Sequence, residues 1–241
     1  MDWGRAKSVL IIAFLLLNVV LGYQLLSSFR ERPYTSADVN DLRPETQALM
    51  KEKQIKLGTS IPSETPDLKD LTFRVKAAKL GLGERHELEK PVDSKVAFTP
   101  KELKESLGGI IPDLDKYTFG EYLESEFVFY RVAEGRPMFD VKLELFYSNL
   151  KITAYKQDLI ELLPSEKSTP QSVLPAAKVV ASLIENKNLL HNGAVIKEIK
   201  LGYHGQIFNS DTQVSAPTWR VQLEDGGQYY VNAISGEAVT E

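Results

Sequence analysis

The first 26 residues constrain this chain most, because they contain an uninterrupted apolar run. From Val9 to Leu26 there are 18 residues, and none of them carries a charge. A helix rises about 1.5 Å per residue, so this run would span about 27 Å, close to the thickness of the hydrocarbon core of a bilayer. The run therefore predicts a transmembrane helix over residues 9–26.

A cleaved secretory signal is the competing interpretation of this run. Signal peptides have an apolar core of about 7–15 residues, followed by small residues at a cleavage site. Here the core is longer and Leu25-Leu26-Ser27-Ser28 offers no clear cleavage site, which favours a retained anchor. Basic residues on the two sides of the run balance, but a long following domain is translocated largely regardless of its charges. We therefore expect a cell-membrane protein with residues 1–8 in the cytoplasm and an extracytoplasmic C-terminal domain.

One face of the predicted helix carries its polar and small residues. Steps of three and four residues define this predicted contact face as Ser8, Ile11, Leu15, Asn18, Gly22 and Leu25. Small residues let two helix backbones approach, and an amide in lipid gains about 1 kcal/mol from a hydrogen bond to a neighbouring helix. The pattern predicts contact with a partner's membrane helix. The alternative is a lone anchor in the bilayer that tolerates Asn18.

Charge and cysteine content exclude several classes of function. The chain has 33 acidic and 29 basic residues, a formal net charge of −4, and no cysteine. A mildly acidic, well-mixed surface argues against nucleic-acid binding. The absence of cysteine excludes disulfides and thiolate metal sites, and it fits an exported domain that its core alone stabilises.

Local patterns after the anchor predict an α+β fold. Pro44 opens a helix that we expect to end near Gln54, and Leu71–Ala77 alternates as a strand with one buried face does. Thr99-Pro100-Lys101-Glu102 forms a capping box, which predicts a short helix over 100–107. An antiparallel meander should follow, with strands at Tyr117–Glu121, Glu126–Ala133, Met138–Tyr147 and Lys151–Gln157, and with turns at Glu134-Gly135-Arg136 and Ser148-Asn149.

The segment Leu163–Leu174 is the best candidate for a boundary, because it is rich in proline and serine. After it, Pro175 should open a helix over Ala176–Asn186, followed by strands at Ala194–Gly202, Thr218–Leu223 and Gln228–Ala233. The order of helix and strands thus occurs twice, so we expect two related halves. The predicted organisation is a cytoplasmic tail 1–8, a transmembrane helix 9–26, a tether 27–43, a first α+β unit 44–163, a linker 164–174 and a second α+β unit 175–241.

The sequence lacks recognisable motifs for catalysis or metal binding. His86, His191 and His204 stand apart from one another, so we expect solvated or capping histidines in turns. Glu124 and Glu126 should share the solvent face of one strand. Residues 81–92 look like a charged connection or the end of a hairpin. We predict a protein that is not an enzyme and that has no cofactor, no metal and no small-molecule substrate.

The meander is rich in aromatic residues on both faces of its predicted sheet. In the second strand, Phe127 and Phe129 point to one face, while Val128 and Tyr130 point to the other. Two apolar faces require cover on both sides. Helices of this chain or a partner chain could provide that cover.

Both ends of the chain resemble known families. Met1-Asp2-Trp3, Arg5-x-Lys7 and an Ile/Phe-rich helix with Asn18 in its outer half resemble the YycI (WalI) proteins of Gram-positive bacteria. At the other end, Trp219-Arg-Val221, Gly227-x-Tyr229-x-Val231-x-Ala233 and Ser235-Gly236-Glu237 are similar to the closing hairpin of PepSY-type domains, a likeness shared by the related regulator YycH. Ala233 stands where PepSY endings usually carry an acidic residue.

The resemblance implies an accessory regulator of the WalK/WalR (YycG/YycF) two-component system, which governs cell-wall metabolism. Such a protein would contact the sensor histidine kinase and a YycH-like protein through its transmembrane helix and outer domain. In that family Asn or Asp is common near the position of Asn18, which favours the helix-contact interpretation. The alternative is an extracytoplasmic, PepSY-like binding or inhibitory module for a protease or a cell-wall ligand.

Overall fold

A computed structural model describes most of the chain after the N-terminal segment. The described residues are 7, 11, 13–15, 17–18, 21, 39, 42–76, 83–93, 100–164, 169–186, 189–208 and 210–239.

Three α-helices follow the N-terminal segment in the described part of the chain. They are α1 (Pro44–Glu52), α2 (Pro100–Leu107) and α3 (Ala176–Glu185). All three were predicted to within about two residues, because each begins at or directly after a proline, which is preorganised for the first turn of a helix. Thr99, the predicted cap of α2, lies outside the described residues.

The described residues form many more strands than helices, which confirms the α+β class. The strands are β1 (Lys56–Leu57), β2 (Asp67–Leu68), β3 (Leu71–Val75), β4 (His86–Asp93), β5 (Tyr117–Leu123), β6 (Glu126–Ala133), β7 (Arg136–Ser148), β8 (Lys151–Gln157), β9 (Ile160–Leu163), β10 (Gln171–Ser172), β11 (Val195–His204), β12 (Thr212–Leu223), β13 (Gln228–Asn232) and β14 (Ala238–Val239).

Two long strands, β7 and β12, connect the parts of the main sheet. The main path runs β14-β13-β12-β11-β7-β6-β5. The first part of β7 meets β11 in parallel at Met138, whereas its second part pairs with β8. In the same way, β12 pairs first with β3 and then with β11 and β13. Strands from before and after residue 175 thus share a sheet, and the predicted domain division at 164–174 stays a prediction.

The tight turns of the meander place residues in the left-handed region. Glu134 and Gly135 have φ of 49° and 76°, as the predicted glycine turn between β6 and β7 requires. The next turn was placed one residue too early, because its left-handed residues are Asn149 and Leu150, with φ of 50° and 62°. Leucine rarely adopts this conformation, so no residue preference indicated it.

Two expectations for charged segments were wrong. Residues 86–93 are not a connection but strand β4, which pairs with β8 and is half-buried or exposed along its length. A strand with no buried face has no apolar alternation to reveal it. Glu124 does not share a strand with Glu126: it lies in the turn between β5 and β6, with φ of 31°.

Helices and strands bury both faces of the meander, as its aromatic pattern predicted. On one face, Leu103 and Leu107 of α2 pack with Phe129, Leu143 and other residues of β6–β8. On the opposite face, Val128 and Tyr130 pack with Phe139 and with Tyr230 of β13. A further core lies between α1, α3 and strands β11–β13, and Trp219 is buried in it.

Candidate functional site

The predicted contact face is only partly within the described residues. Ile11, Leu15 and Asn18 are helical and exposed. The side-chain nitrogen of Asn18 donates to the carbonyl of Phe14 at 3.0 Å. Ser8, Gly22 and Leu25 lie outside the described residues. Among the positions that the structure describes, no helix is both long enough and apolar enough to cross a membrane.

The most distinctive chemistry of the outer part surrounds Arg220, which is 0% exposed. Its guanidinium donates to Glu198 Oε2 at 2.6 Å and to the hydroxyl of Tyr130 at 2.9 Å. It also lies over the ring of Phe139, with Cζ 4.6 Å from the centroid. Burial alone would lower the pKa of Arg220, but Tyr130 and Glu198 raise it. Arg220 therefore stays charged and joins β12 to β11, β6 and β7.

Glu121 of β5, the last strand on the main path of the sheet, also contacts the Arg220 cluster. Its carboxylate accepts hydrogen bonds from Tyr130 at 2.8 Å and from Gln222 at 2.7 Å, and it lies 3.9 Å from Arg220. Burial raises the pKa of Glu121, but the hydrogen bonds from Tyr130 and Gln222 and the charge of Arg220 outweigh it, so the net shift is downward. Glu121 is held as a carboxylate that ties β5 to the β12–β13 hairpin.

A second buried pair, of His204 and Asp140, lies beside this cluster. His204 Nδ1 is 2.6 Å from Asp140 Oδ1, and the backbone N–H of Gly205 donates to Oδ2 at 2.9 Å. The imidazole stacks on the ring of Tyr230, with centroids 4.0 Å apart. These contacts join the end of β11 to β7 and β13.

His204 overturns the expectation that the histidines are solvated or capping groups in turns. It is 6% exposed and lies in a strand, next to a carboxylate that is 64 positions away in the chain. His191, by contrast, is exposed and approaches Asp225 at 3.3 Å. Spacing could not reveal the pair, because its partners meet only where β7 lies beside β11.

The sequence predicted a hairpin strand at Arg220 but no functional site there. The available signal was alternation: Trp219 and Val221 are apolar, so Arg220 must face the other side of the sheet, which the aromatic strands cover. The arrangement fixes strands against one another.

In the described part of the chain, no three His, Asp or Glu side chains form a metal site.

A cavity of about 460 Å³ lies beside strands β4 and β8. Glu84, His86, Tyr155 and Gln157 contribute to its lining. The imidazole of His86 stacks on the ring of Tyr155 with centroids 5.1 Å apart, and the amide of Gln157 donates to the carbonyl of Pro112 at 2.7 Å. The cavity thus offers an aromatic wall and the carboxylate of Glu84, beside the edge strand β4.

Comparison with known families gives a match over most of the chain. The family profile described as YycI protein matches residues 36–234. No curated protein matches the chain significantly. Among solved structures, an uncharacterized protein from Eubacterium rectale ATCC 33656 is 11% identical, with a TM-score of 0.43, over 72% of this chain and 68% of that one.

The matched range takes in both the Arg220 cluster and the His204–Asp140 pair, and it spans most of the chain. The YycI family is not a known enzyme family. The chain therefore belongs to the YycI family, whose members are regulatory accessory proteins associated with the YycG/WalK two-component system.

Proposed function

We propose that this chain is an accessory regulator of the sensor histidine kinase of the WalK/WalR (YycG/YycF) system, which controls cell-wall metabolism. The observation that carries the proposal is the family match over residues 36–234. We place the chain in the cell membrane as a single-pass protein with a cytoplasmic N-terminus and an extracytoplasmic domain. Its apolar run from Val9 to Leu26 supports this placement.

The proposed mechanism is contact, through the predicted contact face and the outer domain, with the kinase and a YycH-like protein. The side-chain amide of Asn18 has two N–H donors, and the bond to Phe14 uses one of them. In the proposed contact, the second N–H and the amide oxygen would bond to a neighbouring helix. A contact that favours one signalling state of the kinase by 1–3 kcal/mol would change its activity about 5- to 150-fold.

Substitution of the small and polar members of the predicted contact face tests this mechanism. Asn18→Leu and Gly22→Leu should alter kinase output in cells and reduce co-purification with the kinase, because they remove the amide and the close approach. Ala13→Leu is the matched control: Ala13 lies on the opposite side of the helix and should leave both readouts unchanged. Unchanged output and co-purification in Asn18→Leu and Gly22→Leu would refute the helix contact.

A second candidate is the binding or inhibitory module, and the cavity beside β4 and β8 favours a cell-wall ligand over a protease. Its aromatic wall of His86 and Tyr155 could stack on a sugar ring, while Glu84 could accept hydrogen bonds from hydroxyls. Titration of the full chain with soluble peptidoglycan fragments tests this function. Saturable binding that Tyr155→Ala abolishes would support it, and an absence of binding would exclude it.

A further inference from the structure

The two outer edges of the meander differ in how they are protected. An unpaired strand edge offers free backbone N–H and C=O groups, and proteins usually block it with charges or proline. Strand β4 carries such protection, with Glu87, Glu89, Lys90 and Pro91 in its eight residues. Strand β5 at the other edge has neither lysine nor proline. A β-bulge interrupts the first half of β5, and the glutamate that follows it points inward, both of which also protect an edge; among the described residues, only the end of β5 after the bulge therefore lacks protection against strand addition.

Strand β5 exposes large apolar side chains along this edge. Phe119, Tyr122 and Leu123 are 38%, 51% and 49% exposed. Phe119 and Tyr122 continue onto the aromatic residues of β6, since their rings lie 5.6 Å from Phe129 and 5.0 Å from Phe127. The hydroxyl of Tyr122 donates to the carbonyl of Glu124 at 2.7 Å, which holds its ring over the end of the hairpin. The edge thus presents a fixed aromatic surface.

Backbone geometry leaves hydrogen-bonding groups of this edge unused by β6. The two-residue turn of Glu124 and Ser125 closes on the pair Leu123 and Glu126. Such a turn begins with a hydrogen-bonded pair, and pairing alternates along antiparallel strands. The N–H and C=O of Tyr122 therefore point away from β6, toward the position of an added strand.

Charge decides what kind of strand fits there. Residues 117–130 contain three glutamates and no lysine, arginine or histidine. Glu121 points inward to the Arg220 cluster, while Glu124 is exposed and Glu126 half-buried at the hairpin end. A second copy of β5 would bring like charges together, which is destabilising. A strand with a basic residue would instead meet the carboxylate of Glu124 and the face of the Tyr122 ring.

We infer that the β5 edge is a docking strand for an extended, basic segment of another protein, which adds to the sheet beside Tyr122. Backbone hydrogen bonds would supply affinity, and the aromatic surface with Glu124 would select the partner. The inference rests on the proposed function only in requiring a protein partner.

Photo-crosslinking in cells tests this inference with the full chain. A benzoylphenylalanine at Tyr122 should give an adduct with another protein, and the crosslinked segment should contain lysine or arginine. The same probe at Phe208, which is 58% exposed, serves as the position control and should give no adduct with that segment. Glu124→Lys should reduce the adduct several-fold, whereas Glu224→Lys, in the turn between β12 and β13, should not.

Each outcome of this experiment decides the inference. No adduct at Tyr122, an adduct with a second copy of the chain, or equal effects of Glu124→Lys and Glu224→Lys would overturn it. An adduct with a basic segment of a protein outside the kinase system would support the docking strand while counting against the proposed function. Altered kinase output in Asn18→Leu without any Tyr122 adduct would leave the proposed function in place and refute the docking strand.

Discussion

Replacement of Arg220 by methionine tests whether the buried cluster holds the strands together. Methionine keeps the packing over Phe139 but removes the guanidinium, which leaves the carboxylate of Glu121 without its cation and leaves Glu198 with Lys200 alone, 3.9 Å away. Breaking a buried ion pair costs about 3–5 kcal/mol. Because the side chain of Glu198 is 35% exposed and can be hydrated, we expect a loss near the lower limit, about 3 kcal/mol.

Urea unfolding of the full chain in detergent measures this loss. The buried indole of Trp219, the neighbour of Arg220, provides the fluorescence signal. The control is Arg43→Met, which breaks the pair of Arg43 and Glu185 at 2.9 Å, where the side chains are 69% and 37% exposed. This surface pair should contribute less than about 1 kcal/mol.

A double substitution separates the effect of removing the cation from the effect of changing the shape of the side chain at position 220. Glu121→Gln combined with Arg220→Met should recover about 1 kcal/mol relative to Arg220→Met alone, because no uncompensated charge then remains at Glu121. A loss for Arg220→Met that does not exceed that of Arg43→Met, with unchanged urea dependence, would refute the assigned role of the cluster.

Two further predictions concern the contact between β7 and β11 and the response to acid. Gly202→Ala should lower the free energy of unfolding by about 2 kcal/mol, because an added Cβ would lie 2.5 Å from the carbonyl oxygen of Pro137. The control is Gly109→Ala, whose added Cβ has no atom within 4 Å and which should change stability by less than about 0.5 kcal/mol. Equal melting temperatures of the two variants would contradict this prediction. Since the pKa of Glu121 is lowered on folding, its contribution is present above its ordinary value of 4.5 and is lost as the pH falls below that value. Melting temperatures measured from neutral pH to about pH 3 should therefore fall less steeply for Glu121→Gln than for the unmodified chain, and parallel curves would be the contrary result.

Local signals predicted the elements that depend on few neighbours in sequence. Prolines marked the start of each helix, alternation marked β3, and Glu134-Gly135 marked a tight turn. The same signals failed at β4, where both faces are largely exposed, and at Leu150, whose positive φ is unusual for leucine. A pattern can be recognised only where burial or backbone preference imposes one.

The sequence by itself determined the α+β class, the apolar N-terminal run and the requirement that both faces of the meander be covered. Tertiary structure alone decided that Asp140 meets His204 and that Glu121 and Glu198 meet Arg220. These partners are far apart in the chain, and they come together because β7 and β12 are long enough to pair with different neighbours along their length. Pairing of distant strands depends on how whole layers pack, and no residue spacing encodes it.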